Sequence, residues 1–166
     1  MKRRTAVPIA LVLCLLVGIV ACNNQTNYQL WKSAGVLIDS WLRVYAPNWS
    51  SQKQFDDAWA VAAQDILTWQ PGTQCQNVEQ AINDALGIIG TVQVNDPRSA
   101  LILATAMVGA QVVETFFVKC AGANMKAEAP VRAYSPVLKD ALDKARQTPP
   151  KDAEQLKKQW KAAGGK

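Results

Sequence analysis

Apolar residues recur along this chain at steps of three and four, the spacing that lines one face of an α-helix, and no stretch alternates as a half-buried strand does. Leu30, Ala34, Leu37, Ile38, Trp41 and Tyr45 form one such stripe and predict a first helix over 28–45, ended by Pro47. A second helix is expected from Ser51, where Ser51-Gln52-Lys53-Gln54 has the form of a capping box. Its stripe is Phe55, Trp59, Ala62, Ile66 and Trp69, and Pro71-Gly72 stops it. Val78, Ile82, Ala85, Leu86 and Ile89 mark a third helix over 76–92. Asp96-Pro97 then reads as an N-cap followed by a first-turn proline, opening a fourth helix that runs to about Lys119.

The fourth helix is apolar nearly all round, the mark of a buried central element. Its segment 100–118 is also long enough to cross a bilayer, but Gln111 and Glu114 lie inside it, and an acidic side chain deep in lipid is costly. Residues 122–130 read as a linker. Ser135-Pro136 starts a fifth helix with Val137, Leu138, Ala141, Leu142 and Ala145 inward, broken by Thr148-Pro149-Pro150. A short basic sixth helix spans 152–162, and Gly164-Gly165 frays its end. The fold expected is an all-α bundle of five or six helices, with 28–147 as the bundle domain and 148–166 as a basic C-terminal helix or tail.

The first 21 residues change the picture of where this bundle sits. Met1-Lys2-Arg3-Arg4 is a basic start, residues 6–20 are an apolar run, and small residues follow, which together are the parts of a secretory signal. The run ends Ile19-Val20-Ala21-Cys22, and here the chain resembles bacterial lipoprotein precursors, whose lipobox places aliphatic and small residues before a cysteine. That resemblance covers the leader alone. It implies cleavage before Cys22, lipid on the Cys22 sulfur and a tether over 22–27. Acyl chains anchor additively, about 0.8 kcal/mol per buried methylene, so two or three chains hold where one does not. In the same family an aspartate after the cysteine directs retention at the inner membrane. Asn23 stands there instead, which implies the outer membrane facing the periplasm, where two membranes are present.

Removing residues 1–21 lowers the formal charge from +5 to +2. The remainder is uneven: residues 22–125 carry five basic and eight acidic side chains, and residues 126–166 carry ten basic and five acidic. Export also sets the chemistry of the cysteines. With Cys14 lost and Cys22 acylated, Cys75 and Cys120 remain as a pair in an oxidising compartment, and a disulfide is expected. The short link between the third and fourth helices should fold them antiparallel, leaving both cysteines at the open end of one hairpin.

Candidate chemistry is sparse. The chain has no histidine, which excludes Ser-His and Cys-His nucleophiles, and two cysteines 45 apart lack zinc-type spacing. No phosphate-binding glycine motif is present. Asp57 and Asp65 share a helix face roughly, but a solvated face explains them as well as a glycosidase pair does. No cofactor and no catalysis are expected.

Six tryptophans are many for this length. Trp31, Ala34, Ile38 and Trp41 repeat the spacing of Trp59, Ala62, Ile66 and Trp69, a heptad-like pattern that packing of two helices produces. Trp49, in a loop, is the tryptophan expected to be most exposed. Trp49, Lys157, Lys158, Trp160 and Lys161 form a candidate surface for an envelope protein, for peptidoglycan or for an anionic membrane. Nucleic acid is the wrong partner for this compartment. The functional expectation is a lipid-anchored envelope protein acting as a binding or structural module; the alternative is a membrane-active factor using 100–118.

Overall fold

The structure is a computed structural model that describes residues 6–70, 75–120 and 134–166, with side chains over 24–70, 75–118 and 134–166. It is all-helical: α1 (Ala6–Tyr45), α2 (Gln52–Thr68), α3 (Gln76–Gly90), α4 (Pro97–Cys120), α5 (Pro136–Ala145) and α6 (Ala153–Ala162), with no strand among the described residues. The 122–130 linker and the Pro71-Gly72 stop lie outside them.

Local signals set most of these ends. The Asp96 carboxylate accepts from the Ser99 N–H at 2.6 Å and caps α4, Ser135 Oγ accepts from the Leu138 N–H at 3.3 Å, and Asp152 accepts from the Gln155 N–H at 2.8 Å. Each satisfies an N–H that the helix cannot pair internally. The capping box expected at Ser51 is not formed: Ser51 sits at φ −93°, ψ 9° and its side chain makes no cap bond. Here α2 follows directly from the turn at Ala46–Trp49, where the Trp49 and Gln52 N–H groups bond back to Ala46 O and Trp49 O.

The larger departure is at α1. The helix expected from Tyr28 is continuous from Ala6, so the residues 22–27 expected as a tether are helical. Cys22-Asn23-Asn24-Gln25-Thr26-Asn27 is a poor helix former, and tertiary contact offsets that. The Asn24 amide donates to Trp69 O at 3.2 Å.

The helices stack in three layers. α1 and α4 pack together in the middle; α2 and α3 pair on one side, α2 against α1 and α3 against α4. On the other side α5 packs on α4, and α6 on both α1 and α4. Among the described residues no helix of the α2–α3 layer packs on α5 or α6. The C-terminal tail is therefore part of the bundle. Leu156 and Trp160 are its buried residues.

Three contacts fix the direction of the layers. Trp41 Nε1 donates to Ser99 O at 2.8 Å, joining the end of α1 to the start of α4. Trp69, just past α2, meets Phe116 and Phe117 edge-on at 5.9 and 5.5 Å, at the end of α4. Asn24 bonds to the Trp69 carbonyl. So α1 and α4 run antiparallel, with Asn24, Trp69 and Phe117 at one end and Trp41 and Ser99 at the other.

α4 is long and apolar enough to cross a membrane over Pro97–Val118. Its apolar side chains instead meet four other helices: Ile102 to Met107, Ala110, Val113 and Phe117 are buried. Gln111, awkward for a membrane span, accepts from Arg146 Nε at 3.0 Å. Glu114 is half-buried and has a polar or electrostatic partner.

Candidate functional site

Because α1 carries residues 19–22 straight into the middle layer, the end of the bundle nearest Cys22 is defined. Cys22 lies two residues before Asn24, whose side chain is bonded to the end of α2. Trp69, Phe116 and Phe117 sit at that end. The side chain of Cys22 itself lies outside those described.

Cys75 is at the N-cap of α3 and buried to 3 % exposure. It follows Trp69 by six positions, and Cys120 is the last residue of α4, three past Phe117. Trp69 and Phe117 are in contact, so the chain brings both cysteines toward the same end of the bundle. The Cys120 side chain is outside the described set.

Of the five residues expected to form a binding surface, three are exposed and two are not. Trp160 is buried at 3 % exposure in the contact of α6 with the middle layer, so it holds α6 down and is not available to a ligand. The reason lies in the α6 stripe: Leu156 and Trp160, four apart, are its only large apolar residues, and they must face the core. Trp49, expected as the exposed tryptophan, is half-buried, with its ring 6.2 Å from that of Phe55. Lys157, Lys158 and Lys161 are exposed. Lys157 pairs with Glu154 at 3.2 Å across one turn.

The heights of these lysines follow from two close approaches. A Cβ on Gly109 would stand 2.7 Å from Leu156 Cδ2, and one on Gly164 3.5 Å from Arg98. α6 therefore runs from the middle of α4 toward its start, away from the Cys22 end. At a rise of 1.5 Å per residue, Leu156 stands about 12 Å from the level of Phe117, and Lys161 about 19 Å. Exposed charges act over about 8–10 Å at physiological salt, so the basic face of α6 points its field at something other than a surface at the Cys22 end.

The opposite layer carries the opposite charge. α2 and α3 hold Asp56, Asp57, Asp65, Glu79 and Asp84 against Lys53 alone. Asp56 has its carboxyl held above the usual range, first by partial desolvation and then by Asp39 and Asp57 nearby. Between the two helices runs a groove of about 690 Å³, with Ala58, Val61, Gly87 and Ile88 among its apolar lining and Asp57 and Asp84 on it. A recess of about 350 Å³ continues it past Ala81 and Gln80. Val61 is 57 % exposed.

Sequence reasoning missed this groove. Its signals were an apolar Val61 off the α2 stripe and a mid-helix Gly87.

Among the described residues no cluster of three or more His, Cys, Asp or Glu side chains could hold a metal ion. Comparison with known protein families, curated proteins and solved structures finds no match to this chain.

Proposed function

We propose that this protein is a non-catalytic, lipid-anchored module of the bacterial cell envelope, held by acyl chains on Cys22 at the outer membrane and presenting a rigid helical body to a partner close above the bilayer. The observation that carries this reading is the union of the lipobox with α1. The helix bearing Ile19-Val20-Ala21-Cys22 continues without interruption to Tyr45, and Asn24 is already tied to α2. A lipid on Cys22 would therefore seat the body at the membrane by one defined end, with almost no slack.

A Cys75–Cys120 disulfide belongs to the same reading. Cys75 is buried and is not a free thiol, Cys120 ends α4, and the Trp69–Phe117 contact draws their flanks together. A bond there would staple the membrane-facing end, where the bundle is joined to its anchor.

The competing membrane-active reading needs α4 to leave α1, α3, α5 and α6, exposing side chains such as Leu103, Met107 and Phe117 that are now buried. Carbonate extraction of the body from Asn23 onward, exported behind a cleavable signal that carries no lipobox, distinguishes the two. Release into the soluble fraction supports the anchored bundle; retention in the membrane supports insertion.

A further inference from the structure

We propose that copies of this protein associate with one another side by side in the plane of the membrane, the basic α6 face of one copy docking into the acidic α2–α3 groove of the next. The two surfaces are complementary in charge. The groove carries Asp57 and Asp84 around an apolar floor. Among the described residues Asp84 accepts only from the Gln80 amide, and Asp57 has an exposed ion pair with Lys53 at 2.6 Å that a docking cation can compete for. Lys158 and Lys161 are exposed and make no ion pair among the described residues.

The groove also has a feature that the fold itself does not need. Gly87 lies in the interior of α3, where glycine costs about 1 kcal/mol relative to alanine. A Cβ placed there would meet nothing within 4 Å. No neighbour inside the bundle requires the missing side chain, so its effect is to keep the groove open from outside.

The layer order makes a second copy the fitting occupant. The acidic and basic layers flank α1 and α4 on opposite sides. A simple translation thus brings the groove of one copy against α6 of another while the Cys22 ends stay on one side. The heights agree as well. Asp57 lies about 18 Å along α2 from Trp69, which packs on Phe117, and Lys161 lies about 19 Å from the same level. Because the two surfaces differ, the contact is heterologous and propagates as a row or closes as a ring. The common orientation rests on the lipid anchor at Cys22; the charge and shape match does not.

The test uses the full-length protein in its own cells, with a photoreactive phenylalanine analogue at position 61 and two differently tagged copies. The expected product is a covalent dimer in which position 61 is joined to the Lys157–Lys161 segment of the other tagged copy, read by peptide mass spectrometry. Asp57→Lys with Asp84→Lys should lower its yield at least tenfold, as should Lys158→Glu with Lys161→Glu. Copies carrying the two reversed pairs should crosslink to each other again. Gly87→Leu should abolish the product while keeping the helical circular dichroism and giving a melting temperature no lower than that of the unsubstituted protein. Absence of a dimer, joining through position 61 of both copies, capture of a different protein alone, or failure of the reversed pairs to restore the product overturns the proposal. Acyl labelling of the same sample separates the two readings: a dimer without label on Cys22 refutes the anchor and keeps the association.

Discussion

The indole of Trp31 lies flat on that of Trp59, with ring centroids 3.9 Å apart and planes within 13° of parallel, and its Nε1 donates to the Trp59 carbonyl at 3.2 Å. This stack joins α1 to α2 and depends on Gly35, where a Cβ would run into Trp59 Nε1. A mid-helix Gly→Ala change ordinarily gains up to about 1 kcal/mol. Here the ring cannot retreat, because Trp31 holds its face. Gly35→Ala is expected to destabilise the protein by roughly 1–3 kcal/mol, and Trp31→Ala by roughly 3–5 kcal/mol. Urea unfolding followed by circular dichroism checks both; a more stable Gly35→Ala protein would contradict the stack.

Two aspartates should give pH dependences of opposite sign. Asp96 is held below the usual carboxylate range, chiefly by the Ser99 backbone N–H, so its contribution is present above its ordinary value and lost as the pH falls through the folded one. Asp56 is held above that range, chiefly by desolvation. Its folded state disfavours the charge, so the penalty is absent below the ordinary value of 3.8 and grows as the pH rises through the folded one. Asp96→Ala should therefore lose most stability near neutrality and less in acid. Asp56→Asn should gain stability near neutrality, and the gain should vanish in acid. Unfolding midpoints at several pH values check the signs.

The proposed Cys75–Cys120 bond makes a further prediction. Breaking it by Cys75→Ser should cost roughly 2–5 kcal/mol and should leave Cys120 reactive to a thiol label under non-reducing conditions, where the unsubstituted protein is unreactive. Peptide mapping without reductant should recover the linked pair from the unsubstituted protein. Two free thiols there would contradict the pairing.

How much of this was readable beforehand depends on what kind of signal each feature carries. The stripes on α2 and α3 were legible because Phe55, Trp59, Ala62 and Ile66, and Val78, Ile82, Leu86 and Ile89, repeat with the helix and are buried as that repeat requires. The caps at Asp96 and Ser135 were legible because an acceptor followed by proline has few other uses. The start of α1 was not, since a run of asparagines reads as a loop until Asn24 finds Trp69 from 45 residues away.

The burial of Trp160, expected at a surface, has a related reason. Trp160 and Lys161 are neighbours in sequence but lie about 100° apart around α6, one in the core and one in solvent. The α2–α3 groove is a property of two helices together, and neither stripe alone announces it. What the paired tryptophans do say is cooperative: Trp41 and Trp69, the last members of the two matching patterns, hold opposite ends of α4, one by a hydrogen bond to Ser99 and one by edge contacts with Phe116 and Phe117.

The most direct test of the lipid anchor is the mass of the mature N-terminal peptide. Trypsin acting on the membrane-extracted protein should release a peptide that begins at Cys22, ends at Lys32 and carries the added mass of a diacylglyceryl thioether. An unmodified peptide running from Thr5 through Lys32 would show an uncleaved, unlipidated leader and would contradict the account.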